Sequence, residues 1–150
     1  MPPLDLIQFS DLHRQKSVQR ARLFELDPPD PPASDEQISD LESKLATRIP
    51  ETYISFLKAY GGGSFGLTNV FSAARDSEYY SVPRNAAAQA FMPEGSLALS
   101  DDHCGGWYVL RVSECQALEP VFYWHSDRGV EKTKFANILE YVAAYAYDGA

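Results

Sequence analysis

Apolar residues in the stretch Ser34–Gly63 recur at helical spacing. Ile38, Leu41 and Leu45 fall at i, i+3 and i+7 and predict an amphipathic helix over residues 34–45. Ser34 followed three residues later by Gln37 is a capping box, in which each side chain can satisfy the other's backbone N–H. Pro50 suits the first turn of a second helix, where a missing N–H has no intrahelical partner to lose. Tyr53, Phe56, Leu57 and Tyr60 supply the buried stripe of that helix, and Gly61 its left-handed end. The pair reads as a packing unit with no catalytic character.

Before it, Leu12, Val18, Leu23 and Phe24 are weakly patterned and predict a helix over residues 4–26, broken near Ser10. The segment LDPPDPPAS places four prolines within Pro28–Pro32. Proline fixes its own backbone and pushes the preceding residue out of the helical region, so a semi-rigid connector is expected. These features divide the chain into an N-terminal helical extension with its connector, residues 1–33, and a main domain, residues 34–150.

Past the glycines the pattern changes period. Gly66–Ala73, Glu78–Val82, Ser96–Leu99, Trp107–Val112 and Pro120–His125 read as strands, rich in β-branched and aromatic residues between turn signals. Asn85–Phe91 predicts a helical turn, and Val130–Lys134 a short edge strand after a turn at Gly129. A last helix runs from Phe135 to about Tyr147, with Phe135, Ile138, Leu139, Val142 and Tyr145 or Ala146 on its apolar face. Helices, then strands, then a helix predict an α+β fold with an antiparallel sheet covered on one face.

The 150 residues, 45% hydrophobic and 13% aromatic, suit one ordered domain with a substantial core. No apolar run approaches the ~20 residues that span a bilayer. The start, MPPLDLIQFSDLHRQ, carries acids where a signal peptide needs bases, so a cytoplasmic protein without a membrane partner is expected. Two cysteines, Cys104 and Cys115, are too few for a disulfide scaffold. The net charge of −8 is uneven: residues 1–26 hold four bases and three acids, the rest nine bases and eighteen acids. Such a body repels phosphate backbones, which argues against direct nucleic-acid binding, and attracts a basic protein surface. Solubility alone also accounts for acidity of this size.

Candidate chemistry is thin. GGGSFG at residues 61–66 matches G-x-G-x-x-G, yet it follows a helix and leads into a strand, the wrong end of the dipole for a pyrophosphate. Asp101, Asp102, His103 and Cys104, with Cys115 and His125 further on, lack the close ligand pairing of a zinc site. No nucleophile elbow is present. The sequence therefore predicts a non-enzyme with no cofactor and no metal. The candidate functional surface is acidic and aromatic: Asp76, Glu78, Tyr79 and Tyr80 on one strand, Asp101, Asp102 and Trp107 on a loop and the strand after it. Tyrosine and tryptophan make large, rigid contacts, and neighbouring carboxylates pair with basic partners. Strand alternation puts Tyr79 and Tyr80 on opposite sides, without saying which is exposed.

Four of these segments together resemble the SUKH superfamily. In the first, Glu42, Leu45, Ile49, Pro50, Tyr53, Phe56, Leu57 and the Gly61–Gly62 pair stand at the pattern's positions. LALSDDHCGGWYVLRV follows with Leu99, Asp102, Gly106, Tyr108 and Leu110, and PVFYWHSD with Val121, Tyr123, Trp124 and Asp127. FANILEYVAAY closes it through Phe135 and Leu139, so the likeness spans about residues 34–147. Trp107 stands where the pattern has an acid, and Tyr60 where it has asparagine. The resemblance implies a SUKH-like α+β domain: a central, mostly antiparallel sheet flanked by two N-terminal helices and a C-terminal helix. It also implies an immunity protein that binds and neutralises a cognate bacterial toxin or effector domain. The alternative is a regulatory scaffold of the same fold, the role of fungal relatives in cell-wall synthesis. No catalytic residues are associated with that fold.

Overall fold

The structure, a computed structural model, describes residues 2–148. Met1, Gly149 and Ala150, the outer ends of the two expected regions, lie outside the described residues. Four helices come first: α1 (Leu6–Gln19), α2 (Ala21–Leu26), α3 (Asp35–Leu45) and α4 (Glu51–Tyr60). A hairpin of β1 (Gly63–Phe65) and β2 (Thr68–Val70) leads to α5 (Ser81–Gln89). Then β3 (Ser96–Asp101), β4 (Gly106–Ser113), β5 (Gln116–His125) and β6 (Gly129–Lys132) form one antiparallel sheet in that order, and α6 (Ile138–Tyr145) closes the fold.

The capping box forms as expected: the Gln37 N–H donates to Ser34 Oγ at 3.1 Å, and the Ser34 N–H to Gln37 Oε1 at 2.9 Å. Ile38 and Leu41 are buried. Glu42 then reaches forward to accept the Ile49 N–H at 2.8 Å, which fixes the path from α3 into α4. Pro50 is the N-cap of α4, one place before the first turn. Gly61 ends that helix at φ +79°, donating its N–H to the Leu57 carbonyl at 2.9 Å. A Cβ there would overlap the Asp30 carbonyl oxygen. The glycine thus terminates α4 and lets the proline-rich connector cross it, where Asp30 N–H donates to the Gly62 carbonyl at 2.8 Å.

Several elements differ from the sequence reading. The N-terminal helix continues through Ser10, whose hydroxyl accepts from Tyr60, and breaks at Arg20 instead. That break swings α2 so that Phe24 meets His13 and Phe65 edge-on. The strand expected over Gly66–Ala73 is a hairpin turning at Gly66 and Leu67, of which only Thr68–Val70 lies in the second strand. Glu78–Val82 is no strand: Tyr80 makes one bridge to Ser72, and α5 begins at Ser81. Pro83 sits in the first turn of α5, where its missing N–H costs nothing, and three alanines carry the helix on. The sheet is also covered on both faces in part.

Those two faces hold separate cores. On one side Leu97, Leu99, Leu110 and Val121 join Phe9, Tyr53, Phe56, Leu57, Leu139 and Val142 in the main cluster. On the other, Ala98, Val109 and Trp124 pack with Ala88 and Met92 from α5 and the segment after it. Asn85 locks α5 to the sheet, accepting the Ala98 N–H at 2.8 Å and donating to the Ala98 carbonyl at 3.0 Å. A buried amide satisfying both backbone groups of a strand residue substitutes for a neighbouring strand.

Candidate functional site

The β3–β4 loop, Asp102–Gly105, is where the two faces meet. Asp101 pairs with Trp107 in the β-ladder and points to the α5 side. There its Oδ2 accepts from the Arg84 guanidinium at 3.3 Å. Arg84 lies on the Tyr79 ring, 4.7 Å from its centroid, and donates from Nε to the Glu78 carbonyl at 2.9 Å. His103, at φ +61°, reaches the Tyr79 hydroxyl at 3.4 Å. Buried Asn69 anchors this corner from β2, donating to the Asp101 carbonyl at 2.8 Å and accepting its N–H at 3.0 Å. Partial burial, then the nearby Glu78 charge, pushes the Tyr79 hydroxyl above the ordinary tyrosine range, so it stays a neutral donor.

Beside this polar corner the same side of the sheet carries an aromatic ladder. Trp107 faces Trp124 across the β4–β5 register, their centroids 5.5 Å apart. Phe91, just beyond α5, stacks on Trp107 at 6.1 Å with 19° between the rings. Phe91 is 66% exposed. Further along, the Arg111 guanidinium covers the Phe122 ring at 5.0 Å. The ladder is therefore a rigid, partly open apolar strip beside the polar corner.

The expected site residues divide among four places. Glu78, Tyr79, Asp101 and Trp107 share the α5 side. Asp76 is exposed in a different cleft of about 840 Å³ between the Ala73–Asp76 segment and α3, beside Arg75 and Asp40. There the Arg75 side chain donates to Asp40 at 2.8 Å and holds that carboxyl below its usual range. Asp102 turns the opposite way from Asp101, toward α6, and bonds Tyr123. Tyr80 is 9% exposed and belongs to the main core, so its ring offers no surface. The expected acidic and aromatic surface is thus split: Asp101 and Asp102 by alternation at the end of β3, and Tyr79 and Tyr80, expected on opposite sides, by the turn that replaced the second strand.

Phe91, Arg84 and His103 complete the α5-side surface over the buried Asn69, and sequence patterning did not single them out as such. Phe91 lies past the end of α5, and nothing in the linear pattern places residue 91 against residue 107. Among the described residues, no group of three histidines, cysteines or acids is placed to hold a metal ion. No described helix is long and apolar enough to cross a membrane.

The model of the SMI1 / KNR4 family (SUKH-1) matches residues 32–143 of the chain. No curated protein matches it.

Proposed function

The chain belongs to the SMI1 / KNR4 family (SUKH-1), commonly immunity proteins and generally non-catalytic, and from that premise we propose that it neutralises a cognate toxin domain by direct protein–protein contact. The observation that carries the reading is the Phe91–Trp107 stack on Trp124. Large rings already held in place lose little entropy on binding, and such anchors dominate interface energies. Glu78 and the Tyr79–Arg84 pair supply a polar rim next to that anchor. The acidic body, with eighteen acids against nine bases beyond residue 26, adds long-range attraction for a basic toxin surface.

The test starts from a low-salt pull-down in which the captured protein is expressed alone and with this chain. A stoichiometric partner that is toxic alone and harmless in co-expression supports immunity. Trp107→Ala and Phe91→Ala should then each raise Kd about tenfold or more, the size typical of a central aromatic anchor. Glu78→Lys should slow association at low salt, with a smaller effect at high salt. A partner whose toxicity is absent or unrelieved transfers the assignment to a regulatory scaffold of the same fold.

A further inference from the structure

Asp102 differs from its neighbour in more than direction. Asp101 is paired with Arg84, whereas no lysine or arginine forms an ion pair with Asp102 among the described residues. Instead its Oδ1 accepts the N–H groups of Cys104 and Gly106 at 2.7 and 2.9 Å, and its Oδ2 accepts the Tyr123 hydroxyl. A Cβ on Gly106 would overlap that hydroxyl, so the glycine is what lets Tyr123 reach the carboxylate. Burial opposes ionisation of Asp102, but these three donors outweigh it and hold the carboxyl below its usual range. The Tyr123 hydroxyl, by burial and then by this bond, is pushed up to about 12. All three donors are neutral and the nearby His125 adds a favourable charge when protonated, so no permanent cation among the described residues pairs with this half-buried carboxylate.

Next to it opens a cleft of about 250 Å³ between the β3–β4 loop, the tip of the β1–β2 hairpin and α6. Tyr108 and Tyr145 wall it, Tyr141 forms its floor, and Leu67 and Thr68 make the far lip. Tyr108 lies 4.4 Å from Tyr141, 5.7 Å from Tyr145 and 5.0 Å from Tyr123, ring centroid to centroid. Burial first, and then the Tyr145 hydroxyl, raises the Tyr108 hydroxyl far above the ordinary tyrosine range, so the wall is electron-rich yet neutral. Aromatic faces beside an ionised carboxylate attract a cation, and most strongly one that is planar and weakly hydrated.

We propose that this cleft receives an arginine side chain of the partner, with its guanidinium stacked on a tyrosine face and one edge turned to the Asp102 carboxylate. The proposal rests on the partner-binding reading above for the source of the arginine, while the chemistry of the cleft stands without it. Lysine fits less well, because its ammonium can neither stack nor present two parallel N–H groups to a carboxylate. The site lies on the opposite side of the β3–β4 loop from the aromatic ladder, so one loop would contact the partner on both flanks.

Heteronuclear NMR titration of the full chain with N-acetyl-arginine methylamide tests this, with the citrulline analogue as the neutral isostere. The expected result is saturable shifts confined to Asp102, His103, Tyr108 and Tyr145, at least tenfold tighter for arginine than for citrulline. Asp102→Asn keeps an oxygen for both backbone N–H groups and removes the charge, and should weaken arginine tenfold or more. Tyr145→Leu should weaken it about 3- to 30-fold, the range of a cation–π contact. The spectra themselves show whether each variant is folded. Absent shifts at the cleft, equal response to citrulline, or full affinity in folded Asp102→Asn each overturn the proposal. If the probe fails while a toxic partner is still neutralised, the immunity reading stands alone. If the probe binds and no toxicity is relieved, the cleft stands without it.

Discussion

His13 sits in the N-terminal helix, yet its ring lies against Phe9, Phe24, Tyr60 and Phe65, and Nδ1 meets the Tyr147 hydroxyl at 2.9 Å. Burial disfavours its charged form and lowers its pKa from the ordinary 6.5. The unfolded chain therefore takes up a proton at this residue near pH 6.5, while the folded chain does so only at lower pH. Stability from His13 is fully present above pH 6.5, and falls as pH drops through that value toward the folded pKa. Replacing it by glutamine, which does not titrate, should flatten the dependence of urea midpoint on pH between 7.5 and 5.5. An unchanged slope would show that His13 takes up its proton equally readily in the folded and unfolded chain. In the sequence His13 is a lone histidine in a weakly patterned helix, and nothing local signals the aromatic nest around it. The same holds for Tyr79 and Tyr80: alternation separates them, but only the turn before α5 decides that Tyr80 goes inward.

Among elements, the legible ones are those whose partner lies within the same local pattern. The box at Ser34 and Gln37 and the i, i+3, i+7 stripe suffice to define α3. Strand β4 follows from alternation and β5 from the aromatic and β-branched run Pro120–His125, although β5 begins four residues earlier, and their hairpin registers Ser113 with Gln116 across two residues. That two-residue turn holds Glu114 and Cys115 at φ +51° and +62°, positions normally given to asparagine and glycine. The sequence marks no turn there by composition. Restoring the favoured pair with Glu114→Asn and Cys115→Gly should raise stability by about 1–2 kcal/mol, since each left-handed position costs a non-glycine residue roughly 1 kcal/mol or more. Denaturant unfolding checks it, and a loss of stability would mean that the Glu114 side chain makes an interaction outweighing backbone strain. The segment Glu78–Val82 has the opposite history. Its β-rich composition is overridden by Pro83 and the alanines after it, and Asn85 supplies the hydrogen bonds that a strand would have made.

For the molecule as a whole, residues before Ser34 are integral to the packing although they precede most of the family match. Phe9 is fully buried, edge-on to Phe56 and Tyr60. The Leu4 N–H donates to Glu140 at 3.0 Å, and Asn137 donates to the Leu4 carbonyl at 2.9 Å. Removing residues 1–33 should therefore cost at least the 3–5 kcal/mol of a lost core phenylalanine and expose Phe56 and Phe65. Urea unfolding of the shortened chain measures this, and an unchanged midpoint would make the N-terminal segment a separate appendage.

The sequence by itself determined the α+β class, most of the helices and the central antiparallel strands, because capping, glycine termination and apolar period act over a few residues. It also carried, through four ordered motifs, the family to which residues 32–143 belong. Only the tertiary structure decided that Asp101 bonds Arg84 while Asp102 bonds Tyr123, that Phe91 stacks on Trp107, and that Tyr108 and Tyr145 wall a cleft beside the Asp102 carboxylate. Those contacts join residues sixteen to thirty-seven positions apart, or turn on which way a loop leaves a strand. Side-chain periodicity reports which face a residue takes within its own element, and holds no information on which other element covers that face.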